Sequence, residues 1–186
     1  MKNLSTLSIE DEAAIEQLNA TQENMVSTTI GWAEINTGST NTEGLVELAP
    51  KLADAFSSLE AEVRLDATKP FQHVGADGEV EERSTGPIVR VQARAQAPVQ
   101  IVLSGHYDTV FAPELGFNAI TDLGDGKLNG PGLADMKGGL SLMLEALKTF
   151  ERGPLKNNLG YQIVITPDEE IGNFASADAL LSLIHI

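Results

Sequence analysis

Hydrophobic residues recur at helical spacing in the first third of the chain. Ile9, Ile15, Leu18, Met25 and Ile30 lie on an otherwise polar background between residues 9 and 35. This spacing predicts one amphipathic helix over 9–35. A polar loop at 36–41 follows, and acidic residues near Thr42 predict the start of a second helix that runs to about Leu59.

The middle of the chain changes to the short apolar runs that are typical of strands. Strands are predicted at 61–65 and at 160–165. A half-exposed strand with alternating polarity is predicted at 88–94, and a more buried strand at 99–103. The connection at 68–87 is rich in Gly and Glu, which predicts an insertion or a mobile hairpin.

The remaining segments are predicted to be helical or turn-rich. A turn-rich stretch at 112–134 precedes a predicted helix at 137–150, and a short helix is predicted near 174–182. Strands that alternate with helices indicate an α/β fold, with helices packed on a mixed, mostly parallel sheet. No internal repeat or linker divides residues 1–186 into two domains.

Composition and charge exclude several classes of protein. The chain has 12 Lys and Arg against 27 Asp and Glu, a net charge of −15, and no Cys. Disulfides and thiolate chemistry are therefore absent, and such an acidic surface disfavours nucleic-acid binding. No apolar run of about 18 residues predicts a membrane span. Met1–Ser5 leads into no apolar secretory segment, so a cytoplasmic location is expected.

The first candidate motif is Gly105–Val110, at the end of a predicted strand. His106 and Asp108 are two residues apart, so in an extended backbone both side chains emerge on one face. A metal-binding imidazole usually donates its second ring N–H to a carboxylate or a carbonyl, and Asp108 is placed for that role. The alternative is a buried histidine capped by a turn aspartate without further function.

The second candidate motif is Gly130–Gly139, where Asp135 follows a glycine-rich approach to a predicted helix. A carboxylate there can bridge two cations through its two oxygens. The alternative is an ordinary helix N-cap. A phosphate-binding loop is disfavoured because Gly126 and Lys127 are followed by Leu128 rather than by Ser or Thr.

The third candidate motif is Asp168–Gly172, where three consecutive acidic residues follow an apolar strand. Adjacent carboxylates repel one another, and a bound cation relieves that repulsion. The alternative is a solvated turn. Together, one imidazole and several carboxylates form a ligand set that suits zinc, with cobalt or manganese as alternatives.

In this order, the three motifs resemble the signatures of the M20 family of metallopeptidases, which includes glutamate carboxypeptidase, acetylornithine deacetylase and succinyl-diaminopimelate desuccinylase. The similarity runs from about residue 30 to residue 180. The Gly-Pro-Gly of the second motif and the loop Asn36–Ser39 are closest to the glutamate carboxypeptidase branch.

The resemblance implies a site with two zinc ions. His106 would ligate one ion, Asp135 would bridge both and Glu170 would ligate the other. Glu169 would be the general base that deprotonates a metal-bound water, and Asp108 would support His106. The family also implies a cis peptide bond between Asp135 and Met136. The implied reaction is hydrolysis of an amide bond in a small peptide or an N-acyl amino acid.

The family pattern extends beyond this sequence. A further acidic ligand, a dimerisation domain and a last His ligand are expected after Ile186, and Asp178 comes too early to be that acidic ligand. The closing residues 183–186 do not resemble the family's continuation, which makes His185 a poor ligand candidate. We therefore expect residues 1–186 to form the N-terminal part of a catalytic domain and to be inactive alone. We expect full-length relatives to be homodimers.

Two other functions stay open at this point. The chain can be a non-catalytic fragment that binds a metal ion or a partner without turnover, or a plain α/β module whose acidic residues are solvated. The order and spacing of the three motifs argue against the plain module.

Overall fold

The structure, a computed structural model, describes residues 8–75 and 77–185, so the expectation drawn from Met1–Ser5 lies outside it. The helices and strands follow in chain order: α1 Ile9–Asn19, α2 Gln22–Ala33, α3 Thr42–Phe56, β1 Glu62–Asp66, β2 Phe71–Val74, β3 Val80–Arg83, β4 Ile88–Ala93, β5 Val99–His106, β6 Thr121–Gly124, β7 Lys127–Asn129, α4 Gly138–Glu151, β8 Leu159–Thr166 and α5 Ala177–Leu181.

The single helix that we predicted over 9–35 is wrong, because the chain forms α1 and α2 with a turn between them. At the turn, the Thr21 hydroxyl donates to the Leu18 carbonyl, 2.8 Å away, so a side chain satisfies a helix-end acceptor. α1 begins with a capping box between Ser8 and Asp11 and buries none of its residues. α2 buries Trp32 in the main core.

The central sheet has four described strands in the order β1-β4-β8-β5. β1 pairs with β4 and β4 with β8 in antiparallel fashion, whereas β5 pairs with β8 in parallel. The prediction of helices on a mixed sheet is thus confirmed, although the described sheet is partly rather than mostly parallel.

The predicted burial of two strands is wrong in both cases. β4, which we expected to be half-exposed, lies inside the sheet, and Val89 and Val91 are 0% and 1% exposed. β5, which we expected to be more buried, is at the edge of the described sheet, and Val99 and Val102 are 51% and 40% exposed. Hydrophobic content alone does not distinguish an inner strand from an edge strand, because strand order is a tertiary property.

The two faces of β8 pack against different helices. Tyr161 and Ile163 join a core that also contains residues of α3 and α4, such as Leu48 and Leu144. Val164 points to the opposite face and packs with Leu183, beyond α5. Helices therefore cover both faces of the strand, as a layered α/β fold requires.

Two hairpins project from this framework. The irregular connection at 68–87 contains the antiparallel pair β2–β3, which confirms the predicted hairpin. The turn-rich stretch at 112–134 contains the pair β6–β7. Within 8–75 and 77–185, every helix is too short or too polar to cross a membrane.

Candidate metal centre

The parallel pairing of β5 with β8 places the first and third motifs side by side. His106, the last residue of β5, pairs with Thr166, the last residue of β8. The Tyr107 N–H continues the ladder by donating to the Thr166 carbonyl at 3.0 Å. The loops that follow the two strands therefore lie at the same edge of the sheet, which is the usual position of functional sites in α/β proteins.

The second motif reaches this edge through an irregular turn at Leu133–Lys137. Gly132 has φ +70°, and a Cβ on it would lie 2.9 Å from the Thr109 Cγ2 atom, so glycine is needed here. The Asp135–Met136 peptide bond is cis, which confirms the expectation from the family. The N-cap interpretation of Asp135 is wrong, because α4 begins at Gly138 with Lys137 as its N-cap.

His106 lies at the centre of the motifs and is 6% exposed. Its Nδ1 atom is 3.2 Å from the Asp108 carbonyl oxygen and 3.3 Å from the Asp108 Oδ1 atom. Its Nε2 atom is 3.0 Å from the Asp135 Oδ1 atom and 3.9 Å from the Glu169 Oε2 atom. One ring nitrogen is thus held by Asp108, and the other faces two carboxylates.

These carboxylates control the protonation of His106. Burial acts to lower its pKa, but the hydrogen bond and charge of Asp108, with Asp135 and Glu169, outweigh burial and raise the pKa from 6.5 to about 9. A protonated ring would donate its Nε2–H to the Asp135 Oδ1 atom, 3.0 Å away. A cation that binds Nε2 has to displace this proton.

Asp108 is completely buried and organises the loop after β8. Its Oδ1 atom accepts from the Glu169 N–H and its Oδ2 atom from the Glu170 N–H, each at 3.1 Å. The Ser39 hydroxyl also donates to Oδ2, at 2.7 Å. Asp108 therefore contacts His106 as predicted and, in addition, holds the backbone of both glutamates.

The three consecutive acidic residues have different environments, unlike those of a simple solvated turn. Asp168 is fully buried and accepts from the Ala175 and Ser176 N–H groups at 2.7 and 3.3 Å and from the Ser176 hydroxyl. The Glu169 side chain is 50% exposed. Partial burial, followed by the charges of Asp135, Asp108 and Glu169, raises the pKa of Glu170 even though His106 acts to lower it.

These side chains form a group that fits a divalent cation. One ligand atom from each of His106, Glu169 and Glu170 lies within 4.8 Å of the others. Asp135 adjoins this group through its 3.0 Å contact with the imidazole. Zinc bonds to nitrogen and oxygen of about 2.0–2.2 Å allow two ligands of one ion to lie up to about 4.2 Å apart. The group is therefore somewhat wider than the ligand set of a single zinc ion, and a cation bound there would relieve the repulsion among the carboxylates.

Two polar residues of this edge were not identified as site residues from the sequence, although Ser39 lies in the loop Asn36–Ser39 that was part of the family resemblance. Ser39 contacts Asp108, and Ser176 anchors Asp168. Single serines in polar loops carry no distinctive sequence signal, and only the tertiary contact reveals them. Lys137, next to the second motif, is 1% exposed and donates to the Ile35 carbonyl at 3.0 Å, which is a structural contact.

A cleft of about 540 Å³ opens beside Asp135 and Glu170. Its walls include Val110 and an edge-to-face pair of rings, Phe111 and Phe117, whose centroids are 4.7 Å apart. The described lining residues carry no basic side chain. The cleft is therefore apolar on one side and acidic at the candidate metal centre.

Several solved structures share this fold. Human carnosine dipeptidase 1 superposes with a TM-score of 0.72 at 22% identity over 92% of this chain, which corresponds to 37% of that protein. The dipeptidase Dug1p from Saccharomyces cerevisiae has a TM-score of 0.72 at 14% identity, covering 91% of this chain and 37% of that protein. The M20 family metallo-carboxypeptidase Sso-CP2 from Sulfolobus solfataricus has a TM-score of 0.62 at 22% identity, covering 80% of this chain and 32% of that protein.

Sequence comparison finds similarity to one family over part of the chain. Residues 102–185, which contain all three motifs, match the family described as Peptidase family M20/M25/M40. Carboxypeptidase G2 from Pseudomonas sp. (strain RS-16) is 27% identical over 146 residues, 78% of this chain and 32% of that protein. The resemblance to the M20 metallopeptidases is thus confirmed, and the chain spans about a third of the length of these relatives.

Proposed function

We propose that the chain forms the N-terminal part of the catalytic domain of a zinc-dependent peptidase or amidohydrolase. The observation that carries this proposal is the convergence of three loops on one imidazole and several carboxylates, with His106 in contact with both Asp108 and Asp135. Because the chain covers only about a third of its relatives, we propose that further zinc ligands and the dimerisation domain come from sequence beyond it.

The proposed metal ligands are His106, Asp135 and Glu170. His106 offers Nε2 because its Nδ1–H is directed at Asp108, which fixes the tautomer that ligation needs. Asp135, whose side chain is 75% exposed, has one oxygen toward the imidazole and the other free for a second ion. A bound zinc ion would polarise the substrate carbonyl and lower the pKa of a water molecule.

Glu169 is the proposed general base. Its backbone N–H is fixed by Asp108 at 3.1 Å, but its carboxylate is half exposed and lies 3.9 Å from His106 Nε2. The side chain can therefore take a proton from water at the metal centre and return it to the leaving nitrogen, as general acid–base catalysis requires.

The proposed substrate is a small peptide or an N-acyl amino acid. The apolar wall formed by Val110, Phe111 and Phe117 favours an apolar side chain of the substrate next to the scissile amide. Asp135 and Glu170 line the same cleft, so this apolar wall lies beside the proposed metal ligands.

The experiment is a zinc titration by calorimetry on the wild type, Asp135→Ala and Glu170→Ala, with Glu114→Ala as control. Glu114 is an exposed acidic residue outside the centre, so its removal changes the net charge equally. We expect each site variant to bind zinc at least about 10-fold more weakly than wild type and the control to be unchanged. Equal affinities in all four proteins would refute the assigned ligands.

A second candidate function is metal binding without turnover. The partial coverage of the relatives favours it for this chain in isolation, because the expected remaining ligands lie outside the sequence. Release of free amine from N-acetylated amino acids by the zinc-loaded chain would exclude this second function, whereas zinc binding without release is the result that it predicts for residues 1–186.

A further inference from the structure

The loop Asn36–Ser39 has no part in the proposed reaction, although it is bound closely to the candidate metal centre. The Thr37 hydroxyl donates to the Tyr107 carbonyl at 2.6 Å, and the Thr109 N–H donates to the Thr37 carbonyl at 2.9 Å. The Ser39 N–H then donates to the Thr109 carbonyl at 3.0 Å. The loop therefore runs beside the first motif, joined to it by an isolated parallel bridge between Gly38 and Thr109.

Gly38 permits this close approach. A Cβ at position 38 would lie 2.6 Å from the Phe111 carbonyl oxygen and 2.8 Å from the Ala112 Cα atom, so any side chain would push the loop away. Asn36 reinforces the geometry, since its Nδ2 donates to the Phe111 carbonyl at 3.0 Å and its Oδ1 accepts from the Gly38 N–H at 3.0 Å. The position of residue 39 is thus set by backbone contacts on both sides.

The consequence is that the Ser39 hydroxyl meets the buried carboxylate of Asp108 at 2.7 Å. The same oxygen of Asp108 accepts from the Glu170 N–H, and the other oxygen accepts from the Glu169 N–H. We propose that Ser39 is a positioning residue: it holds Asp108 in the orientation that sets both the His106 ring and the Glu169–Glu170 backbone for metal binding. This inference rests on the proposed function of these residues as a metal centre.

The burial of Asp108 gives the Ser39 contact its importance. The carboxylate is 0% exposed, so water does not replace a lost donor without rearrangement. Without the hydroxyl, Oδ2 keeps only the Glu170 N–H, so the carboxylate is held less firmly against rotation about its χ2 angle. Such a rotation moves the partner of His106 Nδ1 and both backbone donors at the same time.

The magnitude follows from residues that support metal ligands. Removal of a direct hydrogen-bonding partner of a ligand typically weakens metal affinity by about 10–100-fold. Ser39 is one hydrogen bond further from the metal ligand, since it acts through Asp108. We therefore expect its removal to weaken zinc affinity roughly 10-fold, at the lower end of that range.

The test compares zinc affinity in Ser39→Ala, Ser39→Thr and Ser39→Val with wild type. Thr and Val have nearly the same shape, and only Thr keeps the hydroxyl, so this pair separates hydrogen bonding from packing. Thr40→Ala is the matched control, because Thr40 is the exposed neighbour on the same loop. Calorimetric zinc titration gives the affinity, and the visible spectrum of the Co²⁺-loaded chain reports the geometry of the ligands.

We expect Ser39→Ala and Ser39→Val to bind zinc roughly 10-fold more weakly and to change the Co²⁺ spectrum, whereas Ser39→Thr and Thr40→Ala match wild type. If Ser39→Ala does not fold, the Thr and Val pair still decides the question. Equal zinc affinity in Thr and Val variants would overturn the inference, even if both lower the stability of the metal-free chain. Absence of zinc binding in wild type would instead refute the proposed function and the inference with it.

Discussion

Replacement of the buried Asp108 by asparagine tests how the candidate centre is assembled. The Glu169 and Glu170 N–H groups donate to different oxygens of this carboxylate, each at 3.1 Å. An asparagine has one oxygen, so one of these two N–H groups must face an NH₂ group at the fully buried side chain and stay unpaired. An unpaired buried donor costs about 1–3 kcal/mol. Relief from burying a charge offsets part of this cost, so we expect a net loss of about 2 kcal/mol in the free energy of unfolding.

The pH dependence of this loss follows from His106. Its pKa is raised from 6.5 to about 9, with Asp108 as the largest of the groups that raise it, so folding favours the protonated ring. The resulting stabilisation is complete below pH 6.5 and disappears as the pH rises through about 9. Asp108→Asn should therefore destabilise the metal-free chain more at pH 6 than above pH 9.

The assay is urea denaturation of the metal-free chain at several pH values, followed by zinc titration. Asp54→Asn on the exposed surface of α3 is the control, because it removes the same charge without a buried contact. We expect zinc affinity of Asp108→Asn to fall by about 10–100-fold. A loss of stability below about 0.5 kcal/mol, equal to that of the control, would refute the reasoning.

Three further predictions concern the supports of the site, the core and the metal. Ser176→Ala removes the hydroxyl that donates to the buried Asp168 and should lower the free energy of unfolding by about 1–3 kcal/mol in urea denaturation, whereas Ser57→Ala at the exposed end of α3 should change it by less than about 1 kcal/mol. Leu48→Ala, at a position that is 0% exposed in the core, should cost about 2–5 kcal/mol in the same assay, and a value near that of exposed Val46→Ala would contradict the described packing. Zinc at 100 times its Kd should stabilise the chain by about 2.7 kcal/mol, and a chelator should reverse the resulting rise in Tm; a Tm insensitive to both would argue against the metal centre.

The local pattern of the chain predicted most of its elements. The helix start indicated by the acidic residues near Thr42 and the apolar run of β8 correspond to the observed helix and strand, because both signals act over a few neighbouring residues. The division between α1 and α2 was missed because the turn depends on local hydrogen bonds, such as that from the Thr21 hydroxyl to the Leu18 carbonyl, which hydrophobic spacing over a long window does not detect. The exposure of β5 was missed because it depends on strand order.

For the site, the sequence by itself determined the kinds of chemical group available and their order along the chain. The local features of the sequence are an imidazole, a carboxylate that follows a glycine-rich turn, and three consecutive acidic residues. Each lies next to a predicted strand or helix. They pointed to a metal centre and to the M20 family, whose match over residues 102–185 is now established. The cis bond at Asp135 was expected only through that resemblance.

Only the tertiary structure decided which groups meet and which residues hold them. His106 and Asp135 are 29 positions apart, and the parallel pairing of β5 with β8 together with the turn before α4 brings their atoms to 3.0 Å. The contact between Ser39 and Asp108 spans 69 positions and has no local signal. Hydrogen bonds across such distances depend on strand order and loop packing, which local hydrophobic periodicity does not encode.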